Sequence, residues 1–306
     1  MNTHPDPRLS TLMDERGRLI NLAYRFLGSL TEAEDAVQET YARWYALSQE
    51  QQDAIESPGA WLNTVVSRVC LDVLGSARAR RERYVGEWIP EPVPDAAEWS
   101  EGRPSGTADP ADRITLDESI DMAFLVVLDS MTPAERVTFL LHEVFRYPYA
   151  EVAEIVGRSP AACRQLATAA RHRVRDAHPI TTPTAQRAGV VRSFRQAWEA
   201  KDVEALIAVF DPAAVATADG GGLATAFLDP IEGGTQIAEL LVWLMERAEP
   251  VQLLERTVNG QPGLVAIEEG ATIAVYSFDI AGDQIQRMWV MRNPEKLRLW
   301  PEGDPT

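Results

Sequence analysis

The chain of 306 residues is long enough for two or three domains. At 45% hydrophobic residues it can bury ordinary cores, which excludes wholesale disorder, and no uninterrupted apolar stretch approaches the roughly eighteen residues of a membrane span. A formal net charge of −17, taken whole, argues against nucleic acid as a partner.

Residues Met1 to Ser10 are polar and lack the apolar stretch of a signal peptide. Two cysteines, Cys70 and Cys163, are too few for a disulfide framework or a cysteine-rich zinc site. The expectation is a reducing cytosol, with neither metal nor cofactor. Residues 9–83 read as helical, with Leu19, Leu22, Ala23, Phe26 and Leu30 recurring on one face. Thr31 with Glu34 predicts a capping box for the next helix. That helix turns Val37, Tyr41, Trp44 and Tyr45 inward, and Glu32, Asp35, Gln38 and Glu39 outward. Ser57-Pro58 predicts another helix start, and Trp61, Leu62, Val65, Val69 and Val73 run from it into an arginine cluster.

The Pro-, Glu- and Asp-rich stretch that follows, to about Asp112, shows no apolar periodicity and reads as a linker, in which Trp88 and Trp99 are out of character. Residues 114–177 are helical again. Thr132-Pro133-Ala134-Glu135 joins an N-cap, a first-turn proline and a capping box. A short helix from Ala150 to Val156, a break at Gly157 and a longer helix capped by Ser159-Pro160 make a helix-turn-helix pattern. Beyond Thr181-Thr182-Pro183 come predicted helices at 185–200, 202–210 and 235–248, then strand-like runs from Leu264 to Met291. Helices first and strands last predict an α+β domain whose sheet wraps the helices.

Charge is segmented along this order. Residues 61–83 carry +3 and residues 158–178 carry +4, while the intervening and flanking segments are all acidic. DNA responds to the local field. Only Lys201 and Lys296 are lysines, so the basic islands are arginine, suited to bidentate phosphate and base contact.

These pieces resemble an extracytoplasmic-function (ECF) sigma factor of the sigma-70 family. The resemblance is carried by TEAEDAVQETYARWY (31–45), GAWLNTVVSRVCLDVLGSARARRERY (59–84) and MTPAERVTFLLHEVFRYPYAEVAEIVGRSPAACRQL (131–166). Residues 184–306 resemble a SnoaL-like domain. The sigma group with that extension has three short motifs, which stand here as Trp88-Ile-Pro-Glu-Pro92, Asp219-Gly-Gly-Gly222 and Asn293-Pro-Glu-Lys-Leu297. The resemblance implies two all-α domains, sigma region 2 (1–84) and a region 4 helix-turn-helix (114–178). An acidic linker (85–113) joins them, and an α+β SnoaL-like cone (184–306) follows. It implies transcription initiation in the cytoplasm, with core RNA polymerase (β′ clamp helices and β flap) and promoter DNA as partners and no membrane.

Residue by residue, the resemblance assigns Asp35, Gln38 and Glu39 to polymerase docking. It assigns Arg68, Arg78, Arg80, Arg81 and Arg83 to the −10 element. Arg158, Ser159, Ala161, Arg164, Gln165, Thr168, Arg171 and Arg173 go to the −35 element. Val73, Gly75 and Ala169 stand where the family commonly carries basic residues. Trp88 and Pro90, Asp219 to Gly222 (with Gly220 and Gly221), Asn293, Pro294 and Lys296 are expected to form a regulatory contact between extension and sigma core. No catalytic residue is expected, because all four histidines (His4, His142, His172 and His178) precede the C-terminal domain. Two other readings remain: a ligand-sensing DNA-binding regulator, and an enzyme with accessory helices.

Overall fold

The computed structural model of the chain describes residues 7–81, 84–94, 121–177, 182–247 and 251–300; for 7–14 and 77–81 only the helical backbone is described. The chain divides into two units. The first comprises Met1–Glu82, Ser105–Asp117 and Val127–Ala177; the second comprises Arg83–Pro104, Glu118–Val126 and His178–Thr306.

The first unit begins with α1 (Pro7–Leu27), α2 (Leu30–Tyr45), α3 (Gln49–Asp53) and α4 (Pro58–Arg81). Gly28, at φ +69°, ends α1, and Ser29 then sits in an extended conformation and caps α2 by accepting from Glu32 N at 3.4 Å. The helix therefore starts at Leu30, and the predicted Thr31–Glu34 capping box is superseded by a cap two residues earlier. Trp44 takes the buried position and meets Trp61 edge-on at 5.3 Å, whereas Tyr45 is 60% exposed, against the expectation that it turns inward. Ser57 caps α4 as predicted, accepting from Ala60 N at 3.4 Å.

In the same unit, Asp129 ends α5 (Met122–Asp129), which precedes α6 (Pro133–Phe139), a π-helical turn (Leu140–Val144), α7 (Tyr149–Val156) and α8 (Pro160–Ala177). The Thr132–Glu135 capping box forms with both of its bonds. Gly157, at φ +68°, closes α7 in the left-handed conformation, and Ser159 accepts from Ala162 N at 3.2 Å to open α8. Cys163, Ala167 and Ala170 form the buried stripe of α8. These contacts realise the helix-turn-helix.

Both halves of this unit pack around one cation. Arg136 is 3% exposed and donates to Phe26 O at 2.8 Å, to Leu128 O at 2.7 Å and to Asp129 Oδ1 at 2.7 Å. Arg68 on α4 donates to Glu154 O on α7 at 3.2 Å.

The second unit contains α9 (Thr184–Glu199), α10 (Val203–Val209) and α11 (Gly234–Arg247). Its six strands are β1 (Phe210–Asp219), β2 (Ile231–Glu232), β3 (Gln252–Val258), β4 (Gln261–Glu268), β5 (Ala271–Ala281) and β6 (Gln284–Met291). They form one sheet in the order β2-β1-β6-β5-β4-β3, antiparallel except for the parallel pair β1–β6. β1, β2 and β3 were not anticipated by the sequence pattern.

The sheet is covered on both faces, so its inner strands are apolar in consecutive runs rather than alternately. Leu264, Phe278, Ile280, Ile285 and Met288 face the helices. Val265, Val275, Trp289 and Met291 face the other way, onto Ile89, Met122, Ala123, Leu297 and Trp300.

The compact units divide the chain differently from the expected domains. Residues 89–94, expected to be solvated linker, are buried in the C-terminal unit, and so is the start of α5. The cause is apolar: Trp289 and Met291 lie on the face away from α9 and α11, and Ile89, Met122, Ala123, Leu297 and Trp300 cover it. Thr182 also belongs here, donating to Ile280 O at 2.9 Å.

Arg136→Met should lower the stability of the first unit by about 3 kcal/mol or more, because two carbonyls and Asp129 lose a buried cationic donor. Thermal unfolding checks this; an unchanged midpoint would show that Arg136 does not join the two halves.

Candidate functional site: DNA-facing helices and a buried linker clasp

On α2, Asp35, Gln38 and Glu39 are exposed along one face, with Glu39 paired to Arg43 at 2.8 Å. Of the first basic island, Arg68 is exposed, and α4 runs on to Arg81. The side chains of Arg78, Arg80 and Arg81, and the whole of Arg83, lie outside the described residues. Trp61 is half-buried against Trp44 and belongs to the core.

On α8 and the turn before it, Arg158, Ser159, Ala161, Arg164, Gln165, Thr168, Arg171 and Arg173 are all exposed. Arg164 lies over the Tyr149 ring at 5.5 Å. Arg171 pairs with Glu143 at 3.1 Å and Arg173 with Glu135 at 2.8 Å, so these two also brace the helix against its own domain. Ser159 is engaged as the helix cap.

The three short motifs of the linker and C-terminal domain converge within the second unit. β1 ends on Asp219, which is fully buried. Its carboxylate meets Lys296 Nζ at 2.7 Å and accepts from Tyr84 Oη at 2.7 Å, Ile89 N at 3.0 Å and Gly221 N at 3.0 Å. Lys296 also donates to Ile89 O at 2.6 Å and lies over the rings of Trp88 (4.2 Å) and Tyr84 (5.2 Å). A buried charge pair is tolerable when both partners are saturated in this way. The Tyr84 hydroxyl is pushed well above its ordinary pKa, first by burial and then by the Asp219 carboxylate it donates to.

Asn293 completes the cluster. Its Nδ2 donates to Tyr84 Oη at 2.8 Å, its Oδ1 accepts from Glu295 N at 3.0 Å, and its backbone N donates to Asp219 O at 2.9 Å. The glycine run is required by close approach: a Cβ on Gly221 would strike the Asn293 amide, and one on Gly220 the Ala224 carbonyl oxygen. Pro90 is buried with Ile89, while Pro294 opens a 3₁₀ turn that carries Lys296 inward. A second clasp lies further on, where Val93 and Asn259 exchange bonds (Val93 N to Asn259 Oδ1, 3.2 Å; Asn259 N to Val93 O, 2.8 Å). Trp300 Nε1 donates to Pro92 O at 3.0 Å.

Trp88, Asp219 and Lys296 thus lie together, whereas the expectation was a contact between extension and sigma core. The junction is between linker and extension, inside one unit. Tyr84, Asn259 and Trp300 were missed; only the Asn259-Gly260 hairpin turn had a readable signal.

Residues 12–81 match the Sigma-70 region 2 family and residues 121–174 match Sigma-70, region 4. The chain is 34% identical over 301 residues to "Probable ECF RNA polymerase sigma factor SigI" of Mycobacterium tuberculosis, covering 97% of each. This chain belongs to the ECF RNA polymerase sigma factor family. It is also 32% identical over 294 residues to SigJ of the same species, covering 92% of this chain and 90% of that one. The crystal structure of M. tuberculosis SigJ superposes with a TM-score of 0.75 at 30% identity, covering 96% of this chain and 99% of that one. The fold is therefore that of a sigma factor with a C-terminal sheet-containing domain, and the function is promoter recognition. Among the described residues no helix is long and apolar enough to cross a membrane.

In this sigma factor α8 of region 4 is held by a titratable strut. Burial alone would raise the Glu135 carboxyl, but bonds from the Thr132 backbone and hydroxyl and from Arg173 outweigh it and hold it below its ordinary value. Such a group stabilises the fold above its unfolded pKa, about 4.3, and that stability is lost as pH falls through the folded value. Acid unfolding of the chain should therefore contain a contribution below about pH 4.3 that Glu135→Gln lacks. Identical acid limbs in the two proteins would remove Glu135 from that role.

Proposed function

We propose that this sigma factor reads the −10 element with the α4 arginines and the −35 element with the outward face of α8. Asp35, Gln38 and Glu39 on α2 dock on the β′ clamp helices of core RNA polymerase, and region 4 docks on the β flap. The acidic α2 stripe suits a basic partner. Arg164, Gln165 and Thr168 are exposed on the face that would meet base edges, while Arg158, Arg171 and Arg173 suit the phosphates.

We infer further that the C-terminal domain regulates initiation in cis by holding the linker. The observation that carries this is the saturated, buried Lys296–Asp219 pair closing on Tyr84, Trp88 and Ile89. The stretch leaving region 2 and the start of α5, which leads into region 4, are both built into the C-terminal core. By their designations the promoter elements are about 25 base pairs apart, about 85 Å of duplex. A packed body of roughly 150 residues, like the first unit, has a radius of gyration of about 15 Å. Regions 2 and 4, joined by Arg136 and Arg68, must separate to occupy both elements, and a held linker restrains that opening.

Truncating the extension is a poor test, because it would expose Ile89, Val93 and Met122. The better one is Trp88→Ala, which removes a cation–π contact of about 0.5–2 kcal/mol and leaves the ion pair intact. In promoter-dependent transcription at limiting core polymerase, Trp88→Ala should exceed the wild type. Arg164→Ala should fall below it with its fold unchanged. Wild-type rates for Trp88→Ala would sink the cis-regulatory reading; wild-type promoter binding by Arg164→Ala would remove Arg164 from the reading surface.

A further inference from the structure

The helix-facing side of the sheet is not uniformly filled. At one end Phe210, Leu264, Phe278, Ile280 and Ile285 interlock with Phe194 in a close-packed core. At the other end the same face carries Ala216 and Ala218 on β1, and Ala266 directly opposite Ala274 across β4 and β5. Four alanines where neighbouring positions carry large side chains leave a cavity of about 400 Å³ between the sheet and α11. Interiors are normally packed to crystal-like density, and this volume lies in the range of small-molecule sites, roughly 300–1,000 Å³.

Its walls are almost wholly apolar. Ile237, Leu241 and Met245 of α11 face the alanines, and Trp198 and Tyr276 close one side in an edge-to-face pair at 5.3 Å. The Trp198 indole N–H is already satisfied by Leu241 O at 2.9 Å, so it makes no demand on an occupant. Two cations line the cavity. Arg247 is engaged with Glu246 at 3.6 Å and with the Trp243 ring at 4.3 Å. Arg292 follows the last residue of β6 and donates to Thr225 O at 2.7 Å; among the described residues no carboxylate pairs with it. Its charge reaches Tyr276, where it opposes the rise that burial imposes on the phenol.

We propose that this cavity binds a small carboxylate-bearing apolar molecule, with its tail against the alanine floor and its carboxylate on the Arg292 guanidinium. A guanidinium presents a planar fork that matches a carboxylate, and one such group is enough for one such charge. Phosphate esters, with more oxygens to satisfy, fit a lining with so few donors less well. The site is placed to act on the linker clasp: the strand bearing Ala216 and Ala218 ends on Asp219, and Arg292 immediately precedes Asn293. This coupling rests on the cis-regulatory reading above, whereas binding itself does not.

The test uses decanoate and the full-length chain. Calorimetric titration should give saturable binding at one site, weaker by about tenfold or more both for 1-decanol and for Arg292→Gln, as expected for loss of a charge-assisted bond. Ala218→Leu, which fills the floor without touching Arg292, should lose binding while keeping the wild-type melting profile. If Ala218→Leu does not fold, the 1-decanol and Arg292→Gln comparisons carry the test. Absence of saturable binding to the wild type, or equal affinity for Arg292→Gln, would overturn the site. Binding that leaves transcription unchanged would overturn the coupling alone.

Discussion

The buried ion pair between Lys296 and Asp219 is the contact on which the C-terminal half depends. Neither charge faces water, and each is compensated: Asp219 by three further donors, Lys296 by a carbonyl and two aromatic faces. Such a pair adds little net stability over a well-packed apolar alternative, yet breaking it is expensive. Its consequence is registration. Tyr84, Trp88 and Ile89 have one position in which all those partners are satisfied, and the glycine run beside Asp219 exists because the Asn293 side chain must come that close.

From that registration follows the sheet's second covered face. A sheet of this kind buries one side with α9 and α11 and would otherwise leave Val265, Val275, Trp289 and Met291 in water. Ile89, Met122 and Trp300 cover them, so the linker is part of the domain's core and not merely its tether. The Val93–Asn259 exchange extends the same hold along the described linker without needing charge.

Much of this was legible in the sequence. The Thr132–Glu135 capping box, the Ser57 and Ser159 caps and Gly157 marked helix ends, because local hydrogen-bond chemistry fixes them, while the resemblance of residues 31–45, 59–84 and 131–166 placed regions 2 and 4. The cap at Ser29 was misread two residues late, since Thr31–Glu34 offers an equally good local pattern and only Gly28 decides between them. β1 escaped notice because FDPAAVATAD is alanine-rich and lacks β-branched alternation; its small residues are the floor of the cavity, a tertiary requirement. The linker was misjudged for a similar reason. Proline and acidic residues dominate its composition, while the few apolar residues that anchor it, Ile89 and Val93, find their partners well over a hundred residues away. Trp88 was the one visible sign.

The most direct measurement is hydrogen exchange at the Ile89 and Val93 amides, which donate to Asp219 and Asn259. Both should be strongly protected in the free sigma factor and lose that protection when core polymerase and promoter are added. If they exchange like an open chain in the free protein, the linker is not held. If they stay equally protected in the promoter complex, holding the linker does not regulate initiation.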